Sequence, residues 1–369
     1  MERIAIAEPV FNGNEKKYLM ECIDTGWVSA NGRFVNEFQK KFAEYCGSKY
    51  AIACANGTVT LMLIMKALNI GPGDEVIMPT LTYVATANAV ASCGAKPVFV
   101  DSDPDTWNVS PEAIEAAITH NTKAIIPVHL YGLACDMTAI MDISTRYGIP
   151  VIEDAAEAHG AEWDGKRVGS IGKIGSFSFF GNKIITCGEG GMIVTDDDDL
   201  YRRMNLLRAQ GMDSKKRYWH VIRGFNYRMT NMQAAVGLGQ LEKIDWHISQ
   251  RRRVAGIYKK LFNEKLEGYV QIQKVDNPDS HVYWMNSIIL TDKVKKSRDE
   301  VMSEMEQANI EMRPLFYPMH VMPVYRDTEL KLPVAEKLAE RGINLPSHSG
   351  LDGDKLEYIV DKLADIIKG

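Results

Sequence analysis

The amino-acid sequence predicts an α/β protein. It should have a large domain with a mostly parallel seven-stranded sheet flanked by helices, then a smaller C-terminal α+β domain. Three observations lead there. Between residues 50 and 200, short apolar runs alternate with amphipathic segments, the pattern of βα units feeding a parallel sheet. The chain has 369 residues, 46% of them hydrophobic, more than one core comfortably encloses. Beyond residue 265 that alternation stops. The expected division is a large domain over 1–249 and a small one over 250–369.

The expected strands of the sheet are 50–53, 75–78, 96–100, 124–128, 151–153, 175–179 and 192–194. Helices are expected between them at 58–68, 84–92, 111–118 and 138–147, with Gly71-Pro72-Gly73 and Gly94 marking turns. The acidic run 196–199 suits the N-terminus of the helix that follows, where carboxylates meet free N–H groups. Apolar Met232, Val236, Leu241, Ile244 and Ile248 recur near helical spacing, so 230–262 reads as one long helix. Arg251, Arg252 and Arg253 lie on it and read as a solvated or ion-paired face. The small domain is expected to contain a strand at 282–290, a helix at 298–309, a proline-punctuated stretch at 313–323 and a final helix at 354–367.

Composition narrows the function. The net charge is −5 with both signs interspersed, which argues against nucleic acid or an anionic membrane as the main partner. The six cysteines (22, 46, 54, 93, 135 and 187) form no C-x-x-C pair, so buried thiols are expected and no metal site. The first residues show no secretory pattern and no apolar run reaches membrane length, so a cytoplasmic location is expected.

Three motifs fall at the predicted C-terminal ends of strands, where open α/β sheets bind ligands. Asn56-Gly57-Thr58 opens a helix, and free N–H groups in a first turn favour phosphate; it equally describes a plain turn with a threonine cap. Glu153-Asp154 ends the run "YGIPVIED". An aspartate there can accept from a protonated ring nitrogen, or simply cap a helix. The run "GSFSFFGNK" places Lys183 after an interior strand, with Ser178 five residues before it. A partly desolvated lysine is a nucleophilic amine able to form a Schiff base. No P-loop and no G-x-G-x-x-G after the first strand occurs. Together the three describe a site for pyridoxal 5'-phosphate (PLP): anion cradle, ring-nitrogen partner and amine.

Longer stretches carry a resemblance. "NGT" at 56, "TYVA" at 82, "EDAAEA" at 153, "SFFGNK" at 178, "GEGG" at 188, "FNYRMTNMQAAVGLGQLEKID" at 225, "RPLFYPMH" at 313 and "GINLPSHSGL" at 342 together resemble the fold type I nucleotide-sugar aminotransferases of the DegT type, over nearly the whole chain. The resemblance implies transfer of an amino group from glutamate through PLP and its pyridoxamine phosphate form. "SFFGNK" with "RYWH" at 217 and "NYRMTN" at 226 implies C4 of GDP-4-keto-6-deoxymannose as acceptor and GDP-perosamine as product, for O-antigen and lipopolysaccharide supply. A dTDP- or UDP-linked ketosugar stays open as an alternative. A PLP-dependent sugar dehydratase, in which histidine replaces the lysine, is disfavoured by Lys183, as is a non-catalytic regulator on the same scaffold.

By the same resemblance Lys183 is the catalytic amine and base, and Asp154 pairs with the ring nitrogen. Tyr83 lies against the ring face, and Gly57, Thr58 and Ser178 hold the phosphate. Glu157 stands near the phenolic oxygen, where many relatives carry glutamine. The family forms homodimers with shared active sites, so Asn226 and Arg228 are expected to reach the neighbour's phosphate. Arg313, Tyr317 and His320, with Trp27 and Ser29, are expected to line the sugar pocket.

Overall fold

The computed structural model describes residues 2–369. Two helices come first, α1 (Glu15–Thr25) and α2 (Arg33–Cys46), and seven strands then build the large sheet. These are β1 (Tyr50–Cys54), β2 (Glu75–Pro79), β3 (Lys96–Val100), β4 (Thr122–Ile125), β5 (Ile152–Asp154), β8 (Ile174–Ser178) and β9 (Gly191–Thr195), with a small hairpin β6 (Glu162–Trp163) and β7 (Lys166–Arg167) between β5 and β8. Hydrogen bonding gives the orders β3-β2-β4 and β1-β9-β8-β5. Parallel bridges Ile125–Val151 and Val128–Asp154 join them into one sheet, β3-β2-β4-β5-β8-β9-β1. All its pairings are parallel except those of β9, which runs antiparallel to both β8 and β1. The exception has a local cause. Parallel neighbours are usually joined by a helical crossover, whereas β8 returns as β9 through residues 179–190 with no helix between. That short return carries Lys183.

Helices α3 (Gly57–Ala67), α4 (Ala85–Ala91), α5 (Pro111–Ala116) and α6 (Met137–Tyr147) connect the parallel strands, and α7 (Asp198–Arg208) follows β9. The first four lie within a few residues of their expected ranges. Asp197 caps α7 by accepting from the N–H groups of Asp199 and Leu200, as the acidic run suggested. All six cysteines are buried free thiols.

Several features differ from expectation. The helical pattern over 230–262 is two helices, α8 (Asn231–Leu241) and α9 (Ile244–Lys265). Apolar spacing continues across the joint at Glu242 and Lys243, which is why periodicity alone does not show it. A capping box between Thr230 and Gln233 starts α8, which packs on α1 and α2. The expected boundary at 249/250 falls inside α9. Arg251 does not lie on a solvated face. It is 4% exposed, and its Nη1 donates to the carbonyls of Trp284 (2.9 Å) and Ser347 (3.0 Å). Of its neighbours, Arg252 fits the ion-paired reading, meeting Asp279, whereas Arg253 bonds the neutral Gln250 side chain and the Leu351 carbonyl.

The rest of the chain forms an antiparallel sheet, β10-β11-β13-β12, from β10 (Val270–Gln271), β11 (Asn286–Leu290), β12 (Arg313–Pro314) and β13 (Gly342–Leu345). The strand expected at 282–290 starts only at Asn286, because Tyr283 takes a left-handed backbone (φ 51°). With α10 (Arg298–Gln307), α11 (Pro333–Arg341) and α12 (Gly353–Lys368), this region has a core of its own. Tyr258 and Phe262 of α9, Ile288, Val301, Ile343 and Leu356 pack together in it.

Candidate active site

At the end of β1 the chain turns through Asn56, whose side-chain oxygen accepts the Val59 N–H at 3.0 Å and so caps α3. The cap is therefore Asn56, not a threonine. The first-turn amides of Gly57 and Thr58 keep no intrahelical acceptor. Gly57 is required by packing: a Cβ there would stand 2.8 Å from the Ser178 Cβ and 3.1 Å from its Oγ. This contact seats the positive end of α3 on the last residue of β8. It puts a hydroxyl beside free amides, a cradle suited to phosphate.

Adjacent residues of β5 serve opposite faces, as strand alternation dictates. Glu153 is fully buried; its carboxylate meets His129 Nε2 and accepts from the backbone amides of Gly169, Ile171 and Gly172 at 2.6–2.7 Å. Asp154 faces the cleft. Its Oδ2 accepts from Thr86 Oγ1 at 2.8 Å and its Oδ1 from the Ala156 N–H at 3.2 Å. Burial pushes the Asp154 carboxyl above the usual carboxylate range, and the Thr86 hydroxyl works against that shift. Asp154 caps no helix.

Lys183 is buried in the same cleft, its side chain 12% exposed. Its Nζ lies 3.8 Å from Glu157 Oε1 and 3.9 Å from the centroid of the Trp284 ring. Loss of solvent lowers the ammonium's pKa, and the charges of Glu157 and Asp154 oppose the drop. Glu157 is held by the Tyr131 N–H at 2.8 Å, and burial pushes it up to about 7. Trp284 also fixes the loop, because its Nε1 donates to the Asn182 carbonyl at 2.8 Å.

These groups surround a cavity of about 440 Å³ that gathers Gly57, Thr58, Tyr83, Asp154, Glu157, Ser178, Lys183 and Arg313 from the expected set. Tyr83 is 58% exposed, with Phe316 5.9 Å away between ring centroids. Other expected residues lie elsewhere. His320 does not line the cleft: it is 1% exposed, with Nδ1 2.8 Å from Thr80 Oγ1 and Nε2 3.0 Å from Glu336 Oε1. Tyr317 points away too, its hydroxyl accepting from Arg298 Nη2 at 3.1 Å. Arg228 Nε donates to Asn226 Oδ1 at 3.1 Å, outside the cleft of its own chain. Trp27 and Ser29, also outside, offer their carbonyls to Asn231.

Sequence reading missed Thr86, Trp284 and Phe316. Thr86 directly follows "TYVA", and Phe316 lies inside "RPLFYPMH", so both had a signal. Trp284 had none beyond being an aromatic residue at the head of an expected strand.

Set against known proteins, the chain matches the sequence profile of the DegT/DnrJ/EryC1/StrS aminotransferase family over residues 10–364. The GDP-perosamine synthase of Caulobacter vibrioides is 50% identical over 368 residues, 100% of this chain and 99% of that protein. That of Escherichia coli O157:H7 is 47% identical over 98% of each chain. The crystal structure of 3-amino-5-hydroxybenzoic acid synthase superposes over the whole of both chains with a TM-score of 0.92 at 29% identity. The chain therefore belongs to the DegT/DnrJ/EryC1/StrS aminotransferase family and is a PLP-dependent sugar aminotransferase of fold type I.

Proposed function

We propose that the protein transfers the amino group of glutamate to C4 of GDP-4-keto-6-deoxymannose, giving GDP-perosamine. The observation that carries the reaction is the buried amine of Lys183 sharing one cleft with Asp154 and the N-terminus of α3. Full-length likeness to two GDP-perosamine synthases supports the choice of sugar.

The cleft fits PLP. Where a Cβ at Gly57 would collide with Ser178, the chain has no side chain, and the amides of Gly57 and Thr58 with the Ser178 hydroxyl supply donors for a phosphate. Asp154 supplies an acceptor for a protonated ring nitrogen, and Tyr83 an aromatic face. Bound there, the cofactor provides an electron sink for the carbon that loses its proton. The protein's own part is positional and protonic. Asp154 keeps a positive ring nitrogen in place through a charge-assisted bond. Lys183, whose charged form desolvation disfavours, takes a proton from glutamate's α-carbon and later gives one to C4 of the sugar. Arg313, on the rim, offers a cation to an anionic substrate group.

The reading includes a cytoplasmic homodimer. In it Asn226 and Arg228, which lie outside the cleft of their own chain, reach the phosphate of the neighbouring subunit.

The test is a two-stage titration. Loaded protein is converted with glutamate, freed of it, and offered GDP-, dTDP- and UDP-linked 4-ketosugars while cofactor absorbance is followed. The GDP sugar should restore the starting spectrum. Restoration by the dTDP or UDP sugars alone would refute the substrate, and no response to glutamate would refute the reaction.

A further inference from the structure

The amine of Lys183 rests between two unlike neighbours. On one side the face of Trp284, 3.9 Å away at its centroid, offers a surface to a cation but no seat for a proton. On the other is Glu157 Oε1, at 3.8 Å. The carboxyl is aimed by the backbone: Oε2 is taken by the Tyr131 N–H, which leaves Oε1 turned to the amine. Asp154 is occupied differently, its two oxygens accepting from Thr86 and Ala156. Both members of the pair are buried, with side chains 12% and 4% exposed.

We propose that Glu157 is the proton store of Lys183: the two hold one exchangeable proton, which the carboxyl takes when the amine must be free and returns when the amine must deliver it. The inference rests on reading Lys183 as the group that moves the substrate proton. In the step, an Nζ–H bond breaks and an Oε1–H bond forms, so ammonium and carboxylate become amine and carboxylic acid. No electrons leave the pair, no outside acceptor is needed, and its net charge is zero on both sides. Desolvation penalises the charged form and Coulomb attraction favours it, so burial brings the two forms close in energy. The 3.8 Å gap closes to hydrogen-bond length when the flexible lysine stem advances by about 1 Å.

Three further titratable groups face the pair. Tyr131 stays neutral because burial raises its phenol, and His159 because burial lowers its imidazole to about 3. Asp154, from the end of β5, is the remaining charge. Burial raises Glu157 to about 7 and lowers Lys183, which brings the exchange toward neutral pH.

The experiment compares wild type, Glu157→Gln and Glu157→Asp. Borohydride reduction of the loaded proteins and peptide mass spectrometry come first. The label should sit on Lys183 in all three, and a label elsewhere would sink the reading of Lys183 itself. Next, cofactor-stripped proteins are given PLP across a pH range and the rate of capture is measured, since capture needs a free amine. Glu157→Gln removes the anion that holds a proton on Lys183. The half-rise should move down by about one pH unit or more, roughly a tenfold change in free amine at a fixed pH below it. The two half-reactions should respond oppositely, the glutamate half gaining below about pH 7 and the sugar half losing about tenfold above about pH 8. Glu157→Asp, whose carboxylate stands further back, should shift the same way by less. With the label on Lys183, superimposable pH profiles for wild type and Glu157→Gln would overturn the proposal. Should Glu157→Gln fail to fold, Glu157→Asp carries the same criterion.

Discussion

Thr86→Val isolates what the Thr86 hydroxyl does for Asp154. The two side chains have the same shape, and the one change is the loss of a donor 2.8 Å from a buried carboxylate. A hydrogen bond to a charged group contributes about 1.5–3 kcal/mol, equivalent to roughly one to two pKa units. Burial already raises Asp154, and Thr86 is the first of the contacts that oppose it, so the variant's carboxyl should rise further. The sign for stability follows. Between its unfolded and its raised folded pKa, the native state binds more protons at Asp154 than the unfolded state does, so stability falls as pH rises through that window. The variant extends the window upward. Cofactor-free Thr86→Val should therefore lose more Tm relative to wild type near pH 8 than near pH 5, with about 1.5–3 kcal/mol lost at the higher pH. In the loaded enzyme a carboxyl less willing to ionise holds a ring cation less well, so the cofactor Kd should rise about tenfold or more. Fluorescence titration and thermal melts at both pH values read these outcomes. A Kd within twofold of wild type, with equal Tm losses at both, would show that Thr86 does not sustain the charge on Asp154.

Gly57→Ala places a Cβ 2.8 Å from that of Ser178; such overpacking costs about 1–3 kcal/mol, and inorganic phosphate and PLP should both bind about tenfold or more weakly by competition and direct titration. Lys183→Ala should leave the cofactor removable by dialysis and lower multiple-turnover amination by about a thousandfold or more, measured as amino-sugar product. Arg251→Met orphans the carbonyls of Trp284 and Ser347, and urea unfolding should show a loss of about 2–4 kcal/mol.

Much of the large sheet was legible because βα units announce themselves. Apolar runs of strand length flanked by Gly71-Pro72-Gly73 or Gly94 leave little room for another reading. The joint at Glu242 and Lys243 was not legible, since the apolar repeat passes through it without a proline or glycine. α1 and α2 went unclaimed for a different reason. In α2, Phe34, Phe38 and Phe42 sit four residues apart and are fully buried. That signal was present, but it lies before the first strand and outside the alternation that organised the reading. Arg251 was misplaced because an R-R-R run looks like surface, and its buried partners are carbonyls of residues 284 and 347, which no local pattern foretells.

The site divides along the same line. Residues at strand ends were readable because the sheet's geometry sends them to one edge: Asn56 after β1, Asp154 ending β5 and Ser178 ending β8. The alternation that aims Asp154 into the cleft turns Glu153 to the opposite face, where three backbone amides and His129 hold it. Two adjacent carboxylates are thus assigned unlike duties by strand geometry alone. What surrounds Lys183 is of another kind. Tyr131 is placed by a left-handed turn (φ 56°), and Trp284 comes from more than a hundred residues downstream, tied back by Asn182 and by Arg251 on its carbonyl. The same buried arginine that misled the reading of α9 therefore steadies the aromatic face on which the Lys183 amine rests. Its loss should disturb both stability and the amine.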